Sequence, residues 1–157
     1  MTIATNAFLT STGFKVSLDS SRFPGLNCTI QNFPLPGVSA PGTGNYETPR
    51  RNIPMPGDKY LFDPLTVTMI LKEDFSNYET AFDWLKLCVE TPDDPLSEKT
   101  SDIRLTIYNN KNNVSKTLKF VSAFPSDLGQ ITFDTTDASD EYLTCTVTFQ
   151  YAYFDIE

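Results

Sequence analysis

The sequence predicts a mainly β protein: an antiparallel β-sandwich or barrel with one flanking α-helix and a long Pro/Gly-rich loop. Three observations carry that prediction. Apolar residues alternate with polar ones along most of the chain, a helical repeat occurs in the middle, and six of the eleven prolines with four of the seven glycines crowd between Pro34 and Asp58. The length suits a single domain over residues 1–157, with the arm at about 34–58 and the helix at about 76–90.

The first element is a predicted hairpin. Phe14, Val16 and Leu18 alternate with Lys15, Ser17 and Asp19, and Leu26, Cys28, Ile30 and Asn32 alternate with Asn27, Thr29 and Gln31, around a turn at Phe23-Pro24-Gly25. The arm follows. Its prolines fix φ and remove backbone donors, so docking it costs less entropy. Loops of more than about 12 to 15 residues without secondary structure are uncommon and usually serve as lids, binding surfaces or assembly contacts. This arm therefore reads as an excursion held by a partner. Arg50 and Arg51 within it are either solvated or paired with acidic patches on another subunit.

Leu65 to Leu71 is β-branched and apolar, as a buried strand requires. The helix is predicted from Asn77 to Val89, because Phe75, Tyr78, Phe82, Leu85 and Val89 fall at 3-4-3-4 spacing and make one apolar stripe. Ser76 with Glu79 fits a capping box, Thr91-Pro92 ends the helix, and Glu79, Thr80, Asp83, Lys86 and Glu90 form its wet face. Tyr78, Phe82 and Trp84 read as core packing rather than a ligand box. Ile103, Leu105 and Ile107 pair with Leu118, Phe120, Ser122 and Phe124 across a turn at Asn109–Asn113, since Asn tolerates the left-handed region. The last strand, Tyr142 to Phe154, reads as the longest. One of its faces is apolar and the other carries Thr144, Thr146, Thr148 and Gln150. Its edge needs cover, from another strand of the same chain or from a neighbouring copy.

Composition excludes several functions. With a net charge of −8 the chain lacks the clustered cations that phosphate binding needs. It has no histidine, which removes Ser-His-Asp and Cys-His chemistry, and no nucleotide-binding glycine motif. Cys28, Cys88 and Cys145 are an odd number without a CxxC pair, and read as buried free thiols in a reducing compartment. Asp93-Asp94, Asp137 and Asp140-Glu141 read as turn acids ahead of a Ca²⁺ site or a catalytic pair. No enzyme activity, metal or cofactor is expected. Met1–Thr12 lacks the basic and apolar regions of a signal peptide, and no apolar run is long enough for a membrane span, so the chain is expected to be soluble and made in the cytoplasm.

The order of elements resembles the tail-tube proteins of contractile-tailed bacteriophages, a family related in fold to type VI secretion tube proteins. The resemblance rests on the basic arm with Gly57-Asp58, Phe62 and Leu65-Thr66-Val67, on the Phe82-Asp83-Trp84 step, and on Phe124-Pro125 leading to a terminal aromatic strand, together spanning about residues 14 to 154. It implies hexameric rings stacked into a hollow tube in the virion tail, assembled in the host cytoplasm, with DNA passing through the lumen without specific binding. It also implies contacts with sheath, baseplate and terminator proteins. Under this resemblance Leu35, Pro36, Gly37, Arg50, Arg51, Ile53 and Met55 are the expected contacts between rings, and Thr144, Thr146, Thr148 and Gln150 face the lumen or an intersubunit sheet. A tube subunit is the expected role. A baseplate initiator, a tail terminator or a type VI secretion tube protein is the alternative within the same fold, and a carbohydrate-binding module stacking sugars on Tyr46, Tyr60, Tyr151 and Tyr153 is the alternative from another class.

Overall fold

The computed structural model describes residues 13–17, 30–136 and 141–157. Among these the elements in chain order are β1 (Phe14–Ser17), β2 (Ile30–Asn32), β3 (Val38–Ser39), β4 (Gly44–Glu47), β5 (Asn52–Met55), β6 (Leu61–Phe62), β7 (Leu65–Ile70), α1 (Ser76–Glu90), α2 (Leu96–Lys99), β8 (Ser101–Tyr108), β9 (Val114–Leu128), β10 (Thr144–Gln150) and β11 (Tyr153–Ile156). The predicted turn at Phe23-Pro24-Gly25, with Leu18, Leu26 and Cys28, lies outside the described residues, as do Met1–Thr12, Asp137 and Asp140.

Seven strands form one antiparallel sheet, ordered β1-β8-β9-β10-β7-β2 with β11 also paired to β9, and the sheet is bent until it nearly closes. The predicted hairpin between the first two strands runs mostly through residues outside the described ones, and among those described each strand has a different partner. β1 pairs β8, with Phe14 opposite Ile107, whereas β2 pairs β7 at the far end of the strand order. Alternation reports which face of a strand is apolar but not which strand lies beside it.

Closure depends on β9. Fifteen residues long, it is the longest strand, a place the sequence assigned to the terminal segment. Its first part lies between β8 and β11, and its last part pairs β10. At the changeover Ser122 adopts φ 54°, a left-handed conformation that costs an L-residue about 1–2 kcal/mol. Asp102 offsets that cost, because its Oδ1 accepts the Ser122 N–H at 3.1 Å while its Oδ2 pairs with Lys119 Nζ at 3.3 Å. The expected turn at Phe124-Pro125 is instead part of this strand, with Pro125 opposite Phe149. The terminal segment breaks at Tyr151-Ala152 into β10 and β11.

Leu65, Val67 and Met69 of β7 face Cys145, Val147 and Phe149 of β10 in a core completed by Ile103, Leu105, Leu118 and Phe120. Each fully buried side chain of this size contributes about 1.5–3 kcal/mol. Cys145 is buried and Cys88 half-buried, both are free, and burial pushes both thiols up.

The helix α1 has the predicted span but a different orientation. Asn77, Ala81 and Trp84 are buried and Cys88 half-buried, whereas Phe75, Phe82 and Val89 of the predicted stripe are 38%, 45% and 71% exposed. At 100° per residue the two stripes are about a third of a turn apart, and the one that contains the tryptophan faces the sheet. The capping box is absent as well. Phe75 precedes the helix at φ 62°, and Ser76 donates its N–H to Asp74 Oδ1 at 3.1 Å, so a neighbouring carboxylate occupies the capping role. That N–H helps hold the Asp74 carboxyl below the usual carboxylate range. The Asn109–Asn113 turn forms as expected, with Asn109 Oδ1 accepting from Lys111 and Asn113 and with Asn112 left-handed.

Candidate assembly interface

The arm is not the structureless loop that its prolines suggested. It is a two-stranded ribbon in two sections, β3 with β6 at the base and β4 with β5 toward the tip. At the tip Thr48 and Arg51 exchange backbone hydrogen bonds of 2.9 and 3.3 Å around Pro49-Arg50. Hydrogen-bonded and open pairs alternate from there, which places Pro54, opposite Asn45, at an open pair where no donor is needed. Between the sections Gly57 lies so close to the chain that a Cβ would fall 1.9 Å from the Pro41 carbonyl oxygen. Glycine at 57 is thus what lets the two sides of the ribbon approach each other.

One face of the β4–β5 ribbon carries Tyr46, Ile53 and Met55, which are 64%, 46% and 48% exposed. Isolated two-stranded hairpins are marginal in water, so this face requires cover. Arg50 and Arg51 stand exposed at the tip. Leu35, Pro36 and Gly37 are at the base instead, where the Gly37 carbonyl accepts the Asp63 N–H at 3.1 Å. The seven predicted arm residues therefore fall into two groups, and Tyr46 joins the distal one.

An aromatic cluster anchors the base. Phe62 lies 6.0 Å from Tyr151 and 5.5 Å from Phe154, and both of those rings pack on Phe120. Tyr151 also donates its hydroxyl to the Asp63 carbonyl at 2.8 Å, so of the four tyrosines considered for stacking sugars it is committed to packing within the chain. Burial, with the Asp63 carboxylate nearby, pushes the Tyr151 phenol up to about 12. The folded state therefore holds this proton after the unfolded chain has released it near 10. The stabilisation is complete below pH 10 and is lost as pH rises through 12. Urea unfolding of the wild type and Tyr151→Phe across that range should show a steeper alkaline loss in the wild type; parallel curves would contradict the assignment.

On β10, Thr144, Thr146 and Gln150 are exposed and Thr148 half-buried, over a buried row of Cys145, Val147 and Phe149. Thr66 and Thr68 of β7 stand opposite Thr148 and Thr146 and extend the same uncharged face, an addition that only the register reveals. Both neighbours of β10 come from its own chain, β7 on one side and β9 on the other. Cover for β10 is therefore intramolecular, whereas β11, the rest of the predicted terminal strand, pairs β9 alone among the described residues, and the outer face of β10 stays available. Asp93, Asp94 and Glu141 are exposed, and among the described residues no three His, Cys, Asp or Glu side chains group as a metal set. No helix among those residues is long and apolar enough to cross a membrane.

This fold is similar to those of tube-related components of contractile injection systems. The chain superimposes on the sheath/tube terminator of the extracellular injection system PVC with a TM-score of 0.73 at 17% identity, covering 98% of this chain and 99% of that one. For the tube-terminating cap of the anti-feeding prophage the TM-score is 0.71 at 16% identity, with 100% and 95% covered. For Hcp1 from Flavobacterium johnsoniae it is 0.54 at 15%, with 95% and 94% covered. In sequence, the chain is similar to the tail tube terminator protein of Enterobacteria phage T4, with 29% identity over 154 residues that cover 94% of this chain and 88% of that protein. No family model matches the chain.

Proposed function

We propose that this chain is a structural, non-catalytic subunit of a contractile phage tail that forms a ring ending the tube rather than extending it. The observation that carries this reading is the similarity to the T4 tail tube terminator along nearly the whole chain. The near end-to-end match to a sheath/tube terminator fold is consistent with it. On these grounds the terminator alternative replaces the tube-subunit role expected from sequence.

In this reading copies associate into a hexameric ring in the virion tail, stacked on tube protein and adjoining sheath, and assembled in the host cytoplasm. The Thr66, Thr68, Thr144, Thr146 and Thr148 face with Gln150 lines the passage. Short, uncharged side chains offer DNA neither cations to hold phosphates nor rings to stack on, and the net charge of −8 disfavours retention. The arm supplies contacts to neighbouring subunits, with Leu35, Pro36 and Gly37 at its root and Arg50, Arg51, Ile53 and Met55 beyond. Electron microscopy of the purified protein over a concentration series tests the assignment. Discrete rings that do not lengthen are expected, whereas growth into long hollow tubes would return the protein to the tube-subunit role.

A further inference from the structure

The distal hairpin and the outward flank of α1 have complementary surfaces. The hairpin presents an apolar face beside two cations, Arg50 and Arg51. The helix flank presents exposed Phe75 and Phe82 on either side of a half-buried Tyr78, with Phe75 and Tyr78 centroids 4.7 Å apart and Tyr78 and Phe82 stacked at 6.4 Å, on the same helix as exposed Glu79, Asp83 and Glu90. Lys86 Nζ already lies over the Phe82 ring, 5.9 Å from its centroid, so an arriving guanidinium must displace it. Guanidinium groups suit such a surface doubly, since they stack on rings and bind carboxylates. Neither arginine, nor any of Glu79, Asp83 and Glu90, makes an ion pair among the described residues.

Resting on the ring reading above, we propose that the hairpin of one copy docks on the α1 flank of a second copy in the same ring. Tyr46, Ile53 and Met55 cover Phe82 and Val89, while Arg50 and Arg51 meet Glu79 and Asp83. The occupant is a second copy because both halves of the contact, opposite in charge and both apolar, are on this chain and stay exposed within it. A projection on one side and its receptor elsewhere make a head-to-tail contact, and such a contact closes into a ring when its rotation permits. A terminator stacks on a ring of another protein, so an acceptor on its own chain points to contact within the ring.

Disulfide trapping tests this. With Cys28 and Cys88 replaced by serine, Ile53→Cys and Phe82→Cys variants are mixed and oxidised. A linked dimer in the mixture, absent from either variant alone, is expected. Rings that form without that dimer overturn the docking and leave the ring reading intact, whereas monomers at every concentration overturn both. Linkage of Ile53→Cys to added tube protein instead of Phe82→Cys also overturns it. Charge reversal is the second measure. Arg50→Glu with Arg51→Glu should raise the concentration for half-assembly about tenfold or more with the circular dichroism unchanged, and adding Glu79→Arg with Asp83→Arg should restore assembly. Unchanged assembly in the first double variant, or no recovery in the combined one, counts against the contact.

Discussion

Trp84→Ala is expected to cost about 3–5 kcal/mol, a large part of the roughly 5–15 kcal/mol that holds a domain folded. Trp84 is 1% exposed, and its indole lies 5.6 Å from the Phe149 ring, so it is the bulk that fastens the helix to the sheet. Its Nε1–H also donates to the Lys99 carbonyl at 2.8 Å, which ties α1 to α2 and the start of β8. Alanine leaves both a void and a carbonyl without this donor. Trp84→Phe refills part of the void but not the hydrogen bond, and should cost less, about 1–3 kcal/mol. Urea denaturation followed by circular dichroism would order the three proteins; a midpoint for Trp84→Ala matching the wild type would show that the helix is not held this way.

Asn77→Ala is expected to destabilise by about 2–4 kcal/mol through unsatisfied backbone groups rather than lost volume. Asn77 is fully buried at the start of α1. Its Nδ2 donates to the Ile70 carbonyl at 2.6 Å, and its Oδ1 accepts the N–H groups of Lys72 and Tyr78 at 3.2 and 3.0 Å. One amide thus ties the end of β7, the connecting turn and the first turn of the helix, and it helps hold Phe75 at φ 62°. Asn77→Asp keeps the acceptor, loses the donor and buries a charge, so it should be no milder. Hydrogen exchange should show lost protection concentrated at residues 70–80. A uniform change across the sheet, or none, would place the role of Asn77 elsewhere.

The helix illustrates how far the sequence could be read. Its span was legible because period and flanking residues are local properties, but two stripes, Phe75-Tyr78-Phe82-Leu85-Val89 and Asn77-Ala81-Trp84-Cys88, both satisfy helical spacing. An asparagine counted as polar hid the second, although three hydrogen bonds make it a core residue. In the arm, glycine and proline marked departure from the sheet, but a proline at an open ribbon position looks the same in sequence as one in a coil. The contact residues at 53 and 55 were found without Tyr46, because only the pairing of Tyr46 with Ile53 puts them on one face.

By itself the sequence determined the helix limits, the Asn turn, the acidic balance, the location of the arm and most strand faces, but not that of β9, where Ala123 and Pro125 are buried in place of the predicted Ser122 and Phe124. Each depends on neighbours within a few residues, where alternation, capping and φ preference act. The tertiary structure alone decided that β1 joins β8, that β9 bends at Ser122 to serve both parts of the sheet, which side of α1 faces inward, and that the arm is a ribbon with a bare apolar face. Those outcomes are set by burial and hydrogen bonding between segments far apart in the chain, and local pattern does not encode them uniquely.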